Sequence, residues 1–267
     1  MNVKNNMLCE KANQITLNLL TYGHAKVNPH WKGESIQTSY SYLYYIHNGE
    51  GVIITENKTT KLVAGNWYLI PSGCHFKYNC ENQMEQIYFH IQLCGTDKLD
   101  MLRNFKEPFM ISVDTVPDFF FKNIKNSDDI LISLALKKNV YEIIIKILNQ
   151  NNIKLEQPIL SKCVQNAIEY ISGNPSARMT TTEIAKNSFV SNSKLTKQFK
   201  KELSMSVQEY LYNILLSNAS HLIVNTKLSF LEISEKLGFS DQFYFSRKFK
   251  EKYGISPRKY KQQIEDT

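Results

Sequence analysis

The chain has 267 residues, long enough for two domains, and 42% of them are hydrophobic, an ordinary share for a protein with buried cores. It carries 32 Lys and Arg against 25 Asp and Glu, a net charge of +7. No apolar run approaches the roughly 20 residues that a membrane-spanning helix needs. The first residues, Met1-Asn2-Val3-Lys4-Asn5-Asn6, lack the apolar segment of a secretory signal, so the expectation is a cytoplasmic protein. Five cysteines (Cys9, Cys74, Cys80, Cys94, Cys163) are scattered with no C-x-x-C pair. That spacing argues against zinc or redox-motif chemistry and for reduced thiols.

From the start to about residue 113 the sequence reads as short strands. Residues 40–47 are dense in β-formers, Asn48-Gly49-Glu50-Gly51 is a turn, and residues 52–55 pair back as a hairpin. Residues 65–71 form a further strand ending in Pro71. Residues 84–93 alternate, with Glu85, Ile87, Phe89, Ile91 and Leu93 on one side and Met84, Gln86, Tyr88, His90 and Gln92 on the other. Many short strands with regular turns predict a double-sheet jelly roll or barrel. The face carrying Gln86, Tyr88, His90 and Gln92 has two readings: plain solvent-facing alternation, or the lining of the lumen.

The period changes after residue 119. Ser127 or Asp128 is expected to cap a helix in which Ile130, Leu134, Tyr141, Ile144 and Leu148 follow heptad spacing, interrupted by Lys137. This helix either packs within the chain or forms the seam of an antiparallel homodimer. Residues 149–158 read as a polar linker. A helical stripe of Leu160, Cys163, Val164, Ala167, Ile168 and Ile171 then opens a second domain. From Ile159 onward there are 16 Lys and Arg against 10 Asp and Glu, which leaves 16 against 15 before it. Nearly all the positive charge therefore sits in the helical part, the footprint of a nucleic-acid-binding domain.

Near the end of the chain, residues 233–237 read as a short helix. Gly238 suits a backbone position with positive φ, and Ser240 or Asp241 can cap the next helix. That helix carries Phe245 and Phe249 on one side and Gln242, Ser246 and Arg247 on the other. Helix, tight turn and second helix is the plan of a helix-turn-helix. The unit occurs twice. Residues 184–191 align with 233–240; then, past one inserted residue, Leu195 aligns with Phe245, Phe199-Lys200 with Phe249-Lys250, Ser206 with Ser256 and Tyr210 with Tyr260. The two motifs span about 181–203 and 230–253. Between them, Leu211, Ile214, Leu215, Leu222 and Ile223 mark a connecting helix.

Ile233, Gly238-Phe239-Ser240, Tyr244-Phe245-Ser246-Arg247, Phe249-Lys250, Gly254, Ser256-Pro257 and Tyr260 together resemble the AraC/XylS family of bacterial transcription regulators. The resemblance implies two recognition helices in successive major grooves on one face of double-stranded DNA, about 34–36 Å apart. Early residues of each helix reach base edges and later lysines reach phosphates. Base contacts are accordingly assigned to Asn192, Ser193 and Lys197 and to Gln242, Phe243 and Arg247. Backbone contacts are assigned to Lys200, Lys201, Lys248 and Lys250. Two positions depart from the family pattern. Ser204 stands where Gly is usual, which suggests a different turn, and Leu215 stands where the connecting helix usually has Arg.

Gly65, Pro71, Gly73, His75 and Asn79 resemble the second cupin motif, one residue short between Gly73 and His75. Only His30, Glu34 and Gly49 sit near the first motif, without its His-x-His pair. The resemblance implies a cupin-like sensor that needs neither metal nor cofactor. Tyr44, Trp67, His75, Gln86, Tyr88 and His90 are the candidate effector contacts, with His75 open between ligand contact and structural packing. The expected fold class is α+β in two domains. Residues 1–115 form an antiparallel β cupin-like jelly roll, residues 116–158 a helical connection and linker, and residues 159–267 an all-α double helix-turn-helix of homeodomain-like type. The expected function is a DNA-binding activator that answers to a carbohydrate, with RNA polymerase as a further partner and no membrane. It is not an enzyme: cupin catalysis needs converging metal ligands, and no G-x-S-x-G, H-E-x-x-H or P-loop pattern is present.

Overall fold

The structure is a computed structural model that describes residues 5–35, 38, 40–113, 118–123 and 129–265. The chain divides into two compact units. The first runs to Gly95 and includes Leu99–Glu156; the second runs from Gln157 onward and includes Thr96–Lys98.

In the first unit a short helix, α1 (Asn6–Gln14), buries none of its side chains. It leads into eight strands: β1 (Thr16–Val27), β2 (Lys32–Ser35), β3 (Ser41–Ile54), β4 (Thr59–Val63), β5 (Asn66–Ile70), β6 (Phe76–Asn79), β7 (Met84–Cys94) and β8 (Phe109–Ser112). All pairings are antiparallel. The order β1-β7-β3-β5-β8 makes one sheet, while β6 joins β2 to the far half of β3, which also pairs with β4. β3 therefore belongs to both sheets. It crosses over at an irregularity between Ile46 and Asn48, where its register against β7 shifts.

Strict alternation on β3, β5 and β7 gives the larger sheet two buried faces. Leu43, Tyr45, Trp67, Leu69, Ile87, Phe89 and Ile91 point to one side. Against them pack Phe120 of α2 (Asp118–Asn123) and Val140, Ile144 and Ile147 of α3 (Ile130–Gln150). Tyr44, Ile46, Tyr68, Ile70 and Met84 point the other way, into a lumen closed by Ile53, Leu62 and Phe76 of the smaller sheet. The heptad residues of α3 differ in burial along the helix. Ile144 is buried in the first unit and the Tyr141 hydroxyl accepts a hydrogen bond from the Leu17 amide (2.9 Å), whereas Ile130 and Leu134 are exposed. Ser127 and Asp128 fall outside the described residues. The capping carboxylate is that of Asp129, which accepts from the amides of Leu131 (2.7 Å) and Ile132 (3.3 Å).

The second unit is helical: α4 (Lys162–Gly173), α5 (Thr181–Asn187), α6 (Asn192–Leu203), α7 (Val207–Asn225), α8 (Phe230–Lys236), α9 (Gln242–Tyr253) and α10 (Pro257–Glu265). α7 starts from a capping box, Ser206 with Glu209, and α8 from a second, Ser229 with Glu232. The 19 residues of α7 extend for about 28 Å. The helix is buried along Leu211, Leu215, Ala219 and Ile223, so Leu215 serves the core rather than the surface. A second tie joins the two repeats, because the Ala177 amide, in the loop between α4 and α5, donates to the Leu237 carbonyl (2.9 Å).

Candidate nucleic-acid interface

Each repeat builds the same object. In the first, Thr180 caps α5, Ser191 caps α6, and Ile184, Leu195, Phe199 and Leu203 are buried between the helices. In the second, Ser229 caps α8, Asp241 caps α9, and Ile233, Phe245, Phe249 and Tyr253 are buried. Of the two caps open for α9, Asp241 is the one used. Its carboxylate accepts from the Tyr244 amide (2.7 Å) and from the Ser240 hydroxyl (3.0 Å). The Tyr244 N–H is the main reason its pKa is lowered. The inserted residue lies in the turn: four residues separate α5 from α6 and five separate α8 from α9. Both turns pass through a left-handed residue, Phe189 (φ 59°) in the first and Gly238 (φ 75°) in the second. At Gly238 a Cβ would come within 2.1 Å of the Ser176 hydroxyl oxygen, so glycine is needed for space as well as for φ.

The exposed face of α6 carries Asn192, Ser193, Thr196, Lys197, Lys200 and Lys201 along one open concavity. The Asn192 amide is oriented locally, donating to Thr182 Oγ1 (3.4 Å) and accepting from Thr196 Oγ1 (3.3 Å). On α9, Phe243, Arg247 and Lys250 are one, two and three turns along a single exposed stripe, and Phe243 is 81% exposed. Gln242 and Ser246 flank that stripe, half-buried. The Arg247 guanidinium lies 5.6 Å from the centre of the Tyr244 ring, which steadies it in the middle of the stripe.

Lys248, assigned to the DNA backbone, already has partners within the domain. It lies on the side of α9 that turns toward α7, with its ammonium 2.7 Å from Glu251 Oε2 and over the rings of Tyr212 (5.7 Å) and Tyr244 (5.9 Å). The hydrogen bond to Glu251 raises its pKa. The two phenols are themselves linked, Oη to Oη, at 2.8 Å. Ser204 departs from expectation. It makes the same left-handed turn as Gly254 rather than a different one.

The residues assigned to an effector are distributed unevenly. Tyr44, Gln86, Tyr88 and His90 lie on the lumen side of the larger sheet. His90 stacks on Tyr40 (4.6 Å between centroids) and meets Tyr42 edge-on (5.0 Å). Burial pushes the imidazole down to about 3, so it is neutral at physiological pH. Burial also holds the Tyr44 hydroxyl well above its ordinary value, with the phenols of Tyr42, Tyr78 and Tyr88 adding to the effect. Trp67 is a correction: it pairs in register with Tyr45 and faces the helices, against Phe120, so it cannot reach the lumen. The neighbouring Tyr68 is the aromatic that β5 turns inward. His75 is a second correction. It is neither buried packing nor a lumen contact, but an exposed side chain paired with Glu34 (3.0 Å). Gly23 and Gly33 escaped the sequence reading. A Cβ on Gly23 would lie 2.3 Å from the Tyr88 ring, and one on Gly33 2.7 Å from the Tyr78 hydroxyl. Cross-strand pairing alone places these glycines opposite tyrosines, so no local signal marks them.

Two helix-turn-helix motifs on one connecting helix, in a chain that also carries a double-sheet β unit, define a two-domain transcription regulator of the kind that binds DNA. A model of the helix-turn-helix domain matches residues 184–263. The lactose operon transcription activator of Staphylococcus xylosus is 27% identical over 83% of this chain and 83% of its own length. The raffinose operon transcriptional regulatory protein of Pediococcus pentosaceus is 25% identical over 92% of this chain and 94% of its own. The crystal structure of ToxT from Vibrio cholerae superposes with a TM-score of 0.58 at 12% identity, covering 96% of this chain and 100% of that one, a likeness of fold. The C-terminal residues 184–263 form an AraC-type helix-turn-helix domain, and the relatives that align along most of the chain are AraC/XylS-family operon regulators.

Proposed function

We propose that this regulator is an activator that reads promoter DNA through residues 159–267 and answers to a carbohydrate held in the lumen of residues 1–115. The observation that carries the reading is the matched pair of exposed faces, Ser193-Lys197-Lys200 on α6 and Phe243-Arg247-Lys250 on α9, at equivalent positions of two repeats. Arg pairs with guanine O6 and N7, Phe meets a thymine methyl, and Lys neutralises phosphate. Support for the ligand comes from two sides. The relatives named for lactose and raffinose operons align along most of the chain rather than along the reading domain alone. The lumen also carries aromatic rings and amide and imidazole groups, which suit a polyhydroxylated molecule.

The same reading makes the protein a cytoplasmic regulator rather than an enzyme, with RNA polymerase as a partner at the promoter. Among the described residues no helix is long and apolar enough to cross a membrane. A second copy of the chain is a further partner, met through the exposed Leu131, Leu134 and Ile145 of α3. The test is a gel shift and reporter assay on the DNA upstream of the chain's own gene, with and without sugars and with a metal chelator throughout. Sugar-dependent activation supports the reading. Absence of sequence-selective binding overturns it, and sedimentation of the purified protein reads the second copy directly.

A further inference from the structure

The lumen of the first unit has one chemical character. On β3, β5 and β7 the inward positions are held by Tyr42, Tyr44, Tyr68, Gln86, Tyr88 and His90 among aliphatic neighbours. The charged residues of β1 and β7 take the opposite parity, where Lys26 pairs with Glu85 (3.7 Å) on the outer face. On β2 and β6, Glu34 and Lys77 likewise sit out of phase with Gly33 and with Phe76 and Tyr78, which face in. No inward position of these strands holds an Asp, Glu, Lys or Arg. An anion brought against these strands would lose its hydration with no strand cation to replace it, and a cation would meet no strand carboxylate; the charges whose field reaches the interior at Cys74 are Lys106 and Glu107, one of each sign.

Among the described residues two polar atoms on the lumen side lack a hydrogen-bond partner, Thr60 Oγ1 on β4 and Gln86 Oε1 on β7, and only the second belongs to a strand of the larger sheet. Gln86 is 1% exposed, lies in register between Ala25 and Ile46, and its Oε1 has no hydrogen-bond partner. A buried amide oxygen without a donor is a standing cost that native proteins rarely carry without a use for it. The neighbouring Tyr88 ring is lodged over Gly23, the residue whose missing Cβ makes its place. We propose, resting on the small-molecule reading above, that the lumen selects an uncharged polyhydroxylated ligand, that one ligand hydroxyl donates to Gln86 Oε1, and that phosphorylated sugars and carboxylates are refused. The tyrosine rings supply stacking area for the apolar face of a sugar ring. His90, neutral in this setting, offers one ring nitrogen as donor and the other as acceptor, without a charge to attract an anion.

The experiment uses the full-length chain and isothermal titration with four sets of probes. These are neutral mono-, di- and trisaccharides including lactose and raffinose, the 6-phosphates of glucose and galactose, oleate, and buffer alone. The expected result is one neutral sugar bound at one site per chain, with each phosphate and oleate at least 100-fold weaker. Gln86→Leu should bind that sugar at least tenfold more weakly, while the unliganded variant melts at or above the wild-type temperature because an unpaired buried oxygen has gone. Should Gln86→Leu not fold, Gln86→Met, unbranched and of similar length, replaces it. Undiminished sugar binding by a folded Gln86 variant overturns the proposal. So does a phosphate or oleate bound as tightly as the sugar, while leaving small-molecule sensing intact. If no probe binds, the sensing reading itself falls and the proposal with it.

Discussion

Ser204 and Gly254 hold the same left-handed turn at the ends of the two recognition helices. Their φ angles are 58° and 72°, and their amides donate to the carbonyls of Lys200 (3.1 Å) and Lys250 (2.8 Å). Left-handed φ is costly for a residue with a Cβ and nearly free for glycine. Ser204→Gly is therefore expected to stabilise the chain by about 0.5–1 kcal/mol, the relief of the turn less the greater entropy glycine has when unfolded. Gly254→Ala should lose a comparable amount. Denaturant midpoints at constant slope measure both, and equal stability of Ser204→Gly and the parent would show that the turn carries no such strain.

On the proposed reading, the stripe on α9 divides base reading at Arg247 from backbone holding at Lys250. Arg247→Ala should cost about 1–3 kcal/mol at one base position of the site and little elsewhere. Lys250→Ala should weaken all sequences alike and reduce the salt slope by about one unit. Lys248→Ala, which removes a side chain held by Glu251 and the Tyr212 and Tyr244 rings, should leave the salt slope as it is. Binding isotherms at several salt concentrations on a base-substituted site series distinguish the three. A uniform loss on Arg247→Ala would remove it from base reading.

His90 gives the first unit a pH-dependent stability. Its folded pKa, about 3, lies below the ordinary 6.5, so the unfolded chain takes up a proton that the folded chain does not. The stabilisation is complete above about pH 6.5 and is lost as the pH falls toward 3. Between pH 7 and pH 5 it should shrink by about 2 kcal/mol. Urea unfolding followed by Trp67 and Trp31 fluorescence across that range measures it. His90→Gln should flatten the dependence by the same amount, and an unchanged slope in the variant would assign the effect elsewhere.

A fragment covering residues 159–267 is expected to fold and bind the promoter without sugar, because both motifs, both caps and the connecting helix lie within it. Circular dichroism and gel shift on the same preparation check this. A folded fragment that does not bind would mean that the β unit, or a second copy, supplies part of the DNA surface.

What the sequence made legible was whatever repeats or alternates. The inserted residue between Ile184 and Leu195 as against Ile233 and Phe245 appears in the structure as a longer turn. The parity of β7 placed Ile87 and Phe89 opposite Gln86 and His90 correctly. What stayed hidden depends on partners far along the chain. Lys248 looks like any late lysine of a recognition helix until Tyr212, 36 positions earlier, is brought beneath it. Trp67 and Tyr68 are adjacent aromatics, and only the register against Tyr45 and Tyr44 decides which enters the lumen. Phe189, aligned with Gly238, adopts glycine's conformation with its ring 85% exposed, an economy of shape that residue preference alone argues against.

The Ala177–Leu237 tie has a consequence for promoters. With α7 it makes two separate attachments between the repeats, which restrict independent sliding and swivelling of the two motifs. A target for such a caliper must present both half-sites at one distance and on one side of the double helix. Five base pairs inserted between them turn the second half-site by about half a helical turn, out of reach, whereas a full turn of ten or eleven restores the side but not the distance. On the proposed reading, cis-regulatory sequences for this protein are constrained in phase as well as in letters, and drift in the spacer is expected to be as damaging to them as drift in the contacted bases.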